Sequence, residues 1–166
     1  MSISSNSTGL RPGVCTSSTR PTAPYIGQHI FETDTGKRLV WDGSIWGSDL
    51  ETLSVALSDE YTPLTTGTAK VTLRIPFGMK MTQIPRASVT TASNSGIPTV
   101  NIRANGTTIF TTKLTIDVNE KTSVTAAVPA VLSTTTLADD TELAFDIDVA
   151  GNNTTGLKVT LYYRTT

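Results

Sequence analysis

The side chains equipped for chemistry are few and scattered. His29 and Cys15 are the chain's only imidazole and only thiol, which excludes a zinc cage, a disulfide framework and a Ser-His-Asp site with an imidazole to spare. His29 falls in a strand-like stretch with no second His or Cys near it, so it reads as a surface or packed imidazole rather than a metal ligand. Cys15 sits in a polar stretch without a partner and reads as a reduced thiol rather than half of an intersubunit disulfide. Asp146 and Asp148 alternate with apolar residues, and Asp139-Asp140 come just before them. Two carboxylates two residues apart on a strand could flank a glycosidic bond, and a cluster of them could hold calcium. The spacing of an EF-hand loop is absent, however, and the same alternation predicts the outward face of a sheet. Tyr25, Phe31, Trp41 and Trp46 could stack on a sugar; in so short a segment they read as the core of a small element or its contact with a neighbour. No Gly-rich phosphate loop, nucleophile elbow or zinc-ligand spacing occurs. The expectation is a non-enzymatic protein without cofactor or metal.

The elements that would position these residues follow from composition. The 166 residues contain 32 Thr and 15 Ser, against only 16% charged residues. Thr is β-branched and favours a pleated surface over a helix, so this usage predicts strands with hydroxyl-covered outer faces. The 13 basic and 14 acidic side chains give a net charge of −1, which argues against nucleic acid, whose binding needs a basic surface. No apolar run approaches the roughly 20 residues of a membrane span. Met1–Thr8 is polar and uncharged in its side chains and matches neither a signal nor a transit peptide, so synthesis in a cytosol is expected.

Along the chain, residues 1–24 lack apolar periodicity and hold Pro12, Pro21 and Pro24. They read as an extended arm that would order by lying along another subunit. Residues 25–48 read as a three-stranded meander: Gln28–Thr33 alternates, Asp34-Thr35-Gly36 turns, Lys37–Trp41 returns, Asp42-Gly43-Ser44 turns again, and Ile45-Trp46 closes it. Residues 49–68 read as a linker, with a short helix over Asp49–Leu57 because Leu50, Leu53 and Leu57 recur at helical spacing. Residues 69–166 read as an antiparallel β-sandwich, jelly-roll-like, of seven strands: Lys70–Ile75, Met79–Thr91, Thr99–Ala104, Thr107–Ile116, Lys121–Ala127, Thr141–Val149 and Leu157–Tyr163. Asn105-Gly106 between two of them is a strong hairpin signal, since both turn positions need positive φ. The predicted core includes Val100, Ile102, Leu114, Val124, Leu143, Phe145, Ile147, Val159 and Leu161. The overall fold class is all-β.

Two stretches carry a resemblance. Thr19-Arg20-Pro21-Thr22-Ala23-Pro24-Tyr25-Ile26-Gly27-Gln28, then Glu32-Thr33-Asp34-Thr35-Gly36 and Trp41-Asp42-Gly43-Ser44-Ile45-Trp46, resemble a short module of tailed-bacteriophage virion proteins, which often stands between an attachment arm and a distal β-domain. Arg74-Ile75-Pro76-Phe77, Ala87–Ala92, Lys113–Asp117, Glu120–Ser123 and Gly156–Val159 look like a β-domain at the ends of phage fibres and on head-surface proteins. The resemblance implies a virion structural protein made in the host bacterial cytoplasm. It would be a capsid decoration, cement or head-fibre protein that docks by its N-terminal region on the major capsid protein or another virion protein and projects the sandwich outward. The alternative is a short tail fibre or tail tip that binds a host-surface glycan or receptor. A homotrimer is expected, from the resemblance and from the small size of the meander. Arg11, Arg20, Pro21, Tyr25, Phe31, Trp41 and Trp46 are the expected attachment or trimer contacts.

Overall fold

The computed structural model describes residues 13–166. Strand accounts for 45% of the described residues and helix for 2%, so the protein is all-β. No helix among the described residues is long and apolar enough to cross a membrane. The chain divides into two compact units, the first ending at Asp49 and also taking in Thr166, the second running from Leu50 to Thr165.

The first unit is one sheet of four strands, β1 (Gly13–Cys15), β2 (His29–Glu32), β3 (Arg38–Trp41) and β4 (Trp46–Gly47), in that spatial order. The meander β2-β3-β4 is antiparallel as expected. Its addition is β1, which pairs parallel to β2 and places Val14 beside Phe31. Gly13–Cys15 are therefore part of the chain's own sheet, and Ser17 and Arg20 after them bond to Asp34 and Glu32, whereas the sequence suggested that residues 1–24 are an arm laid along another subunit; residues 1–12 lie outside the described residues. Alternation puts Ile30 and Leu39 on one face with the cross-strand pair Trp41 and Trp46, whose rings stand 5.6 Å apart. Ile30, Leu39 and Trp46 are buried, and Cys15 and Trp41 pack against them.

The second unit is sandwich-like. One sheet has the order β10 (Thr107–Thr108), β9 (Thr99–Ala104), β15 (Glu142–Val149), β6 (Gly67–Arg74), with β12 (Leu114–Thr115) also paired to β9. The other has the order β14 (Thr136–Leu137), β7 (Met79–Met81), β16 (Lys158–Thr165), β5 (Glu51–Ala56), with β8 (Arg86–Ser88) also paired to β16. A ribbon of β11 (Phe110–Thr112) and β13 (Val131–Leu132) completes it. Val100, Ile102, Leu143, Phe145 and Ile147 of the first sheet share one core with Val55, Met79, Met81, Val159 and Leu161 of the second. The Asn105-Gly106 turn forms as expected, with φ of 47° and 84°.

Several elements differ from the sequence reading. Glu51–Ala56 is a strand and not a helix: Leu53 and Val55 also alternate, and six consecutive partners on β16, from Lys158 to Tyr163, select that period. The segment expected as a linker thus opens the second unit. Met79–Thr91 is broken into β7 and β8, and Thr107–Ile116 into three short strands. Lys121–Ala127 holds a 3₁₀ turn, Ser123–Thr125, capped by the Thr122 hydroxyl, and Val124 is 58% exposed rather than core.

Candidate functional site

In the first unit, the buried face of the sheet contains a carboxylate. Glu32 is fully buried beside Ile30's position on β2. Arg20 Nε donates to Glu32 Oε1, and Thr35 Oγ1 donates to Oε2 at 2.7 Å. Burial pushes the Glu32 carboxyl up, but the Arg20 and Thr35 hydrogen bonds outweigh it, and the net pKa lies below the ordinary Glu value. The segment before β2 is held further by Asp34, which accepts from the Ser17 hydroxyl at 2.6 Å and from the Ser17 N–H.

These contacts sort the expected attachment residues. Arg11 lies outside the described residues. Arg20 is committed to Glu32, Pro21 is half-buried, and Trp46 is buried with Trp41 half-buried beside it. Phe31 is half-buried on the opposite face of the sheet from Ile30. Tyr25 alone of the set is displayed, at 67% exposure. Sequence reasoning missed its neighbours in display, Ile26 at 76% and Val14 at 70%. The signal for Ile26 was its place in a Pro-Tyr-Ile-Gly turn, where Gly27 has φ of 84° and a loop side chain has no core to enter.

In the second unit, Asp146 projects from the face of β15 opposite Phe145 and Ile147 but is buried there, and the alternation expected to carry Asp148 on the same face is interrupted by a register slip against β9 between Ile147 and Val149. Arg103 donates to it through Nε and Nη2, each at 2.8 Å, and Ala69 N–H donates at 2.8 Å and Asn101 Nδ2 at 3.2 Å. Burial raises the Asp146 carboxyl; the Arg103 and Ala69 hydrogen bonds more than reverse this, so its pKa is lowered. Lys113 Nζ meets Asp148 at 2.6 Å. Each carboxylate is held by a cation, an arrangement that fixes strands to one another. Among the described residues no three His, Cys, Asp or Glu side chains gather as a metal site needs.

A second surface was not foreseen. Thr99 pairs with Val149 and Ala56 with Lys158, so the turns 57–66, 89–98 and 150–157 meet at one end of the sandwich, while Leu50 leads into β5 at the other. They are bound to one another: Leu64 N–H to Thr154 C=O, Gly156 N–H to Asp59 C=O, Asn152 N–H to Ser95 C=O, and Asn119 N–H to Ser93 C=O. Glu60 accepts from Thr90 and Lys158. Gly156 is required here, since a Cβ would stand 2.5 Å from Glu60 Oε2 and its φ is 68°. Asp59 accepts from the N–H groups of Thr62 and Tyr61, the causes of its lowered pKa. This Asx turn holds Tyr61 out at 91% exposure, and Ile97 and Val149 are also exposed at this end of the sandwich. Elsewhere on the unit, Ile84, Arg86, Leu114, Val124 and Pro129 line a groove of about 250 Å³, and the Arg86 guanidinium lies 5.3 Å over the Tyr162 ring.

No protein-family model, curated protein or solved structure matches the chain.

Proposed function

We propose that the protein is a non-enzymatic structural component of a tailed-phage virion, a capsid decoration or head-fibre protein. Its first unit docks on the major capsid protein or another virion protein, and its second unit is carried on the particle surface. The observation that supports this reading is the fold of the stretch that resembles the phage attachment module. It belongs to a separate small sheet with its own core, and its Tyr25 and Ile26 are displayed rather than buried, as is Val14 on the neighbouring β1. Exposed apolar side chains on a rigid base dock at low ordering cost, because the backbone beneath them is already fixed. Linking several copies adds avidity without new contacts. The test is binding of the purified chain to particles that lack it. Ile26→Asp and Tyr25→Ala should abolish co-sedimentation while leaving circular dichroism unchanged. Undiminished binding of the double variant would remove the first unit from the docking role.

The Tyr61 cluster favours a second reading, a short tail fibre or tail tip whose sandwich binds a host glycan or receptor. Polar Ser, Asn and Thr loops locked around one exposed aromatic ring suit such recognition, since Tyr supplies contact area with little rotamer entropy to lose. Localisation on the tail by electron microscopy, with host adsorption lost in Tyr61→Ala, would favour it over the first.

A further inference from the structure

We propose that β5 is a self-pairing edge through which two copies of the chain join in antiparallel register, with Ser54 of one copy opposite Ser54 of the other. The inference stands on the edges of the sandwich and does not depend on the virion role. Both sheets of the second unit end in a long strand, β6 in one and β5 in the other. An edge strand presents unpaired backbone groups, and proteins ordinarily blunt it with bulges, charges, proline or shortness. β6 is blunted. Its register against β15 slips between Val71 and Gly67, Ala69 takes a left-handed φ of 49° in the bulge, and Lys70 and Arg74 stand exposed along it. The strands on the opposite borders, β8, β10, β12 and β14, have only two or three residues.

β5 has only the weakest of these devices, the single charge of Glu51 at its start. Glu51-Thr52-Leu53-Ser54-Val55-Ala56 contains no Pro, Gly, Lys or Arg, and its register on β16 runs without a slip. The bond from Leu57 N–H to Leu157 C=O sets the phase of the ladder. By alternation, Leu53 and Val55 turn their backbone groups to β16, and Thr52, Ser54 and Ala56 turn theirs outward. No hydrogen bond among the described residues uses those outward groups.

The occupant that fits this edge is the same edge. With Ser54 opposite Ser54, Thr52 falls opposite Ala56 and Leu53 opposite Val55. Every outward N–H and C=O of the strand is then paired, and apolar side chains meet on the core face while small ones meet on the outer face. Moving the register to put Leu53 opposite Leu53 leaves Ala56 unpaired. The strand's one charge, Glu51, falls opposite Leu57, so no like charges meet. An edge of six residues is small beside the roughly 1,200–2,000 Å² of a standard interface, so the pair is expected to be a weak, concentration-dependent one. Because the strands are antiparallel, the two chains lead into β5 from points on the order of 25 Å apart along the pair. If the virion role holds, one pair could span two docking positions, which is a different assembly from the expected trimer.

The experiment is mass by light scattering on the full chain across the micromolar range, joined to cysteine crosslinking. The mass should rise from one chain to two, and Ser54→Lys should hold it at one with an unchanged circular dichroism spectrum. Under mild oxidation Ser54→Cys should crosslink to itself, since directly opposed Cα atoms at about 5.5 Å lie within disulfide reach. Thr52→Cys, facing Ala56, and the wild-type chain with Cys15 alone should not. A monomer at every concentration, a trimer, or crosslinking by Thr52→Cys in place of Ser54→Cys would overturn the proposal.

Discussion

The two units solve one problem at different scales. In each, an arginine lies against a buried carboxylate on a sheet, Arg20 on Glu32 and Arg103 on Asp146. The small sheet sets that pair beside three buried apolar side chains, Ile30, Leu39 and Trp46. The sandwich sets its pair on the outer face of a sheet whose inner face shares a core of 23 buried residues. A polar bond is therefore a large fraction of what holds the first unit and a small fraction of what holds the second. Loss of a side chain should unfold the one and merely weaken the other.

The largest expected effect breaks the comparison at its weak side. Trp46→Ala should cost about 3–5 kcal/mol and unfold the first unit. Calorimetry should then show its transition gone and that of residues 50–165 in place; a single merged transition, shifted as a whole, would mean that the units do not fold separately. Asp146→Ala should cost about 3 kcal/mol, because it strands Arg103 and the Ala69 N–H without their acceptor, yet leave the sandwich folded with a lowered urea midpoint.

Acid sharpens the same contrast. The Glu32 and Asp146 pKa values are both lowered in the folded state. Each carboxylate thus contributes stability that is fully present above its unfolded pKa, near 4, and is lost as pH falls through the lower folded value. The first unit should lose its fold at the higher pH of the two as acid is added, followed by tryptophan fluorescence, since both Trp lie in it. Glu32→Gln should flatten that dependence and leave the second unit's acid limb unmoved. A smaller effect is expected at Ala69, whose left-handed φ favours glycine; Ala69→Gly should raise the sandwich's stability by about 0.5–1 kcal/mol. Tyr61→Ala should change it by no more than about 0.5 kcal/mol, which would leave the ring free for contact with another molecule.

Much of the fold was legible residue by residue. The turns of the meander and the Asn105-Gly106 hairpin carry their own φ preferences, and Leu143, Phe145 and Ile147 alternate against Glu142, Ala144 and Asp146 over a full strand. Illegible were the places where two local patterns coexist. In Asp49–Leu57 the helical set Leu50, Leu53, Leu57 overlaps the alternating set Leu53, Val55, Leu57, and only β16 distinguishes them. The candidate sites were less legible. Tyr25 was read as a contact residue and is displayed, but Arg20 and Trp46 of the same set are spent inside the unit. Tyr61 carried no sequence signal beyond the Asp59 turn before it.

By itself the sequence determined class and periodicity: an all-β chain, because Thr-rich alternating segments and turn dipeptides act through neighbours in the chain and need no distant partner. Only the tertiary structure decided which carboxylates are buried, that β1 joins its own sheet in parallel, and which edge is left open. Each of those depends on the side chain or strand that a remote segment brings alongside, and alternation within one strand contains no information about its partner.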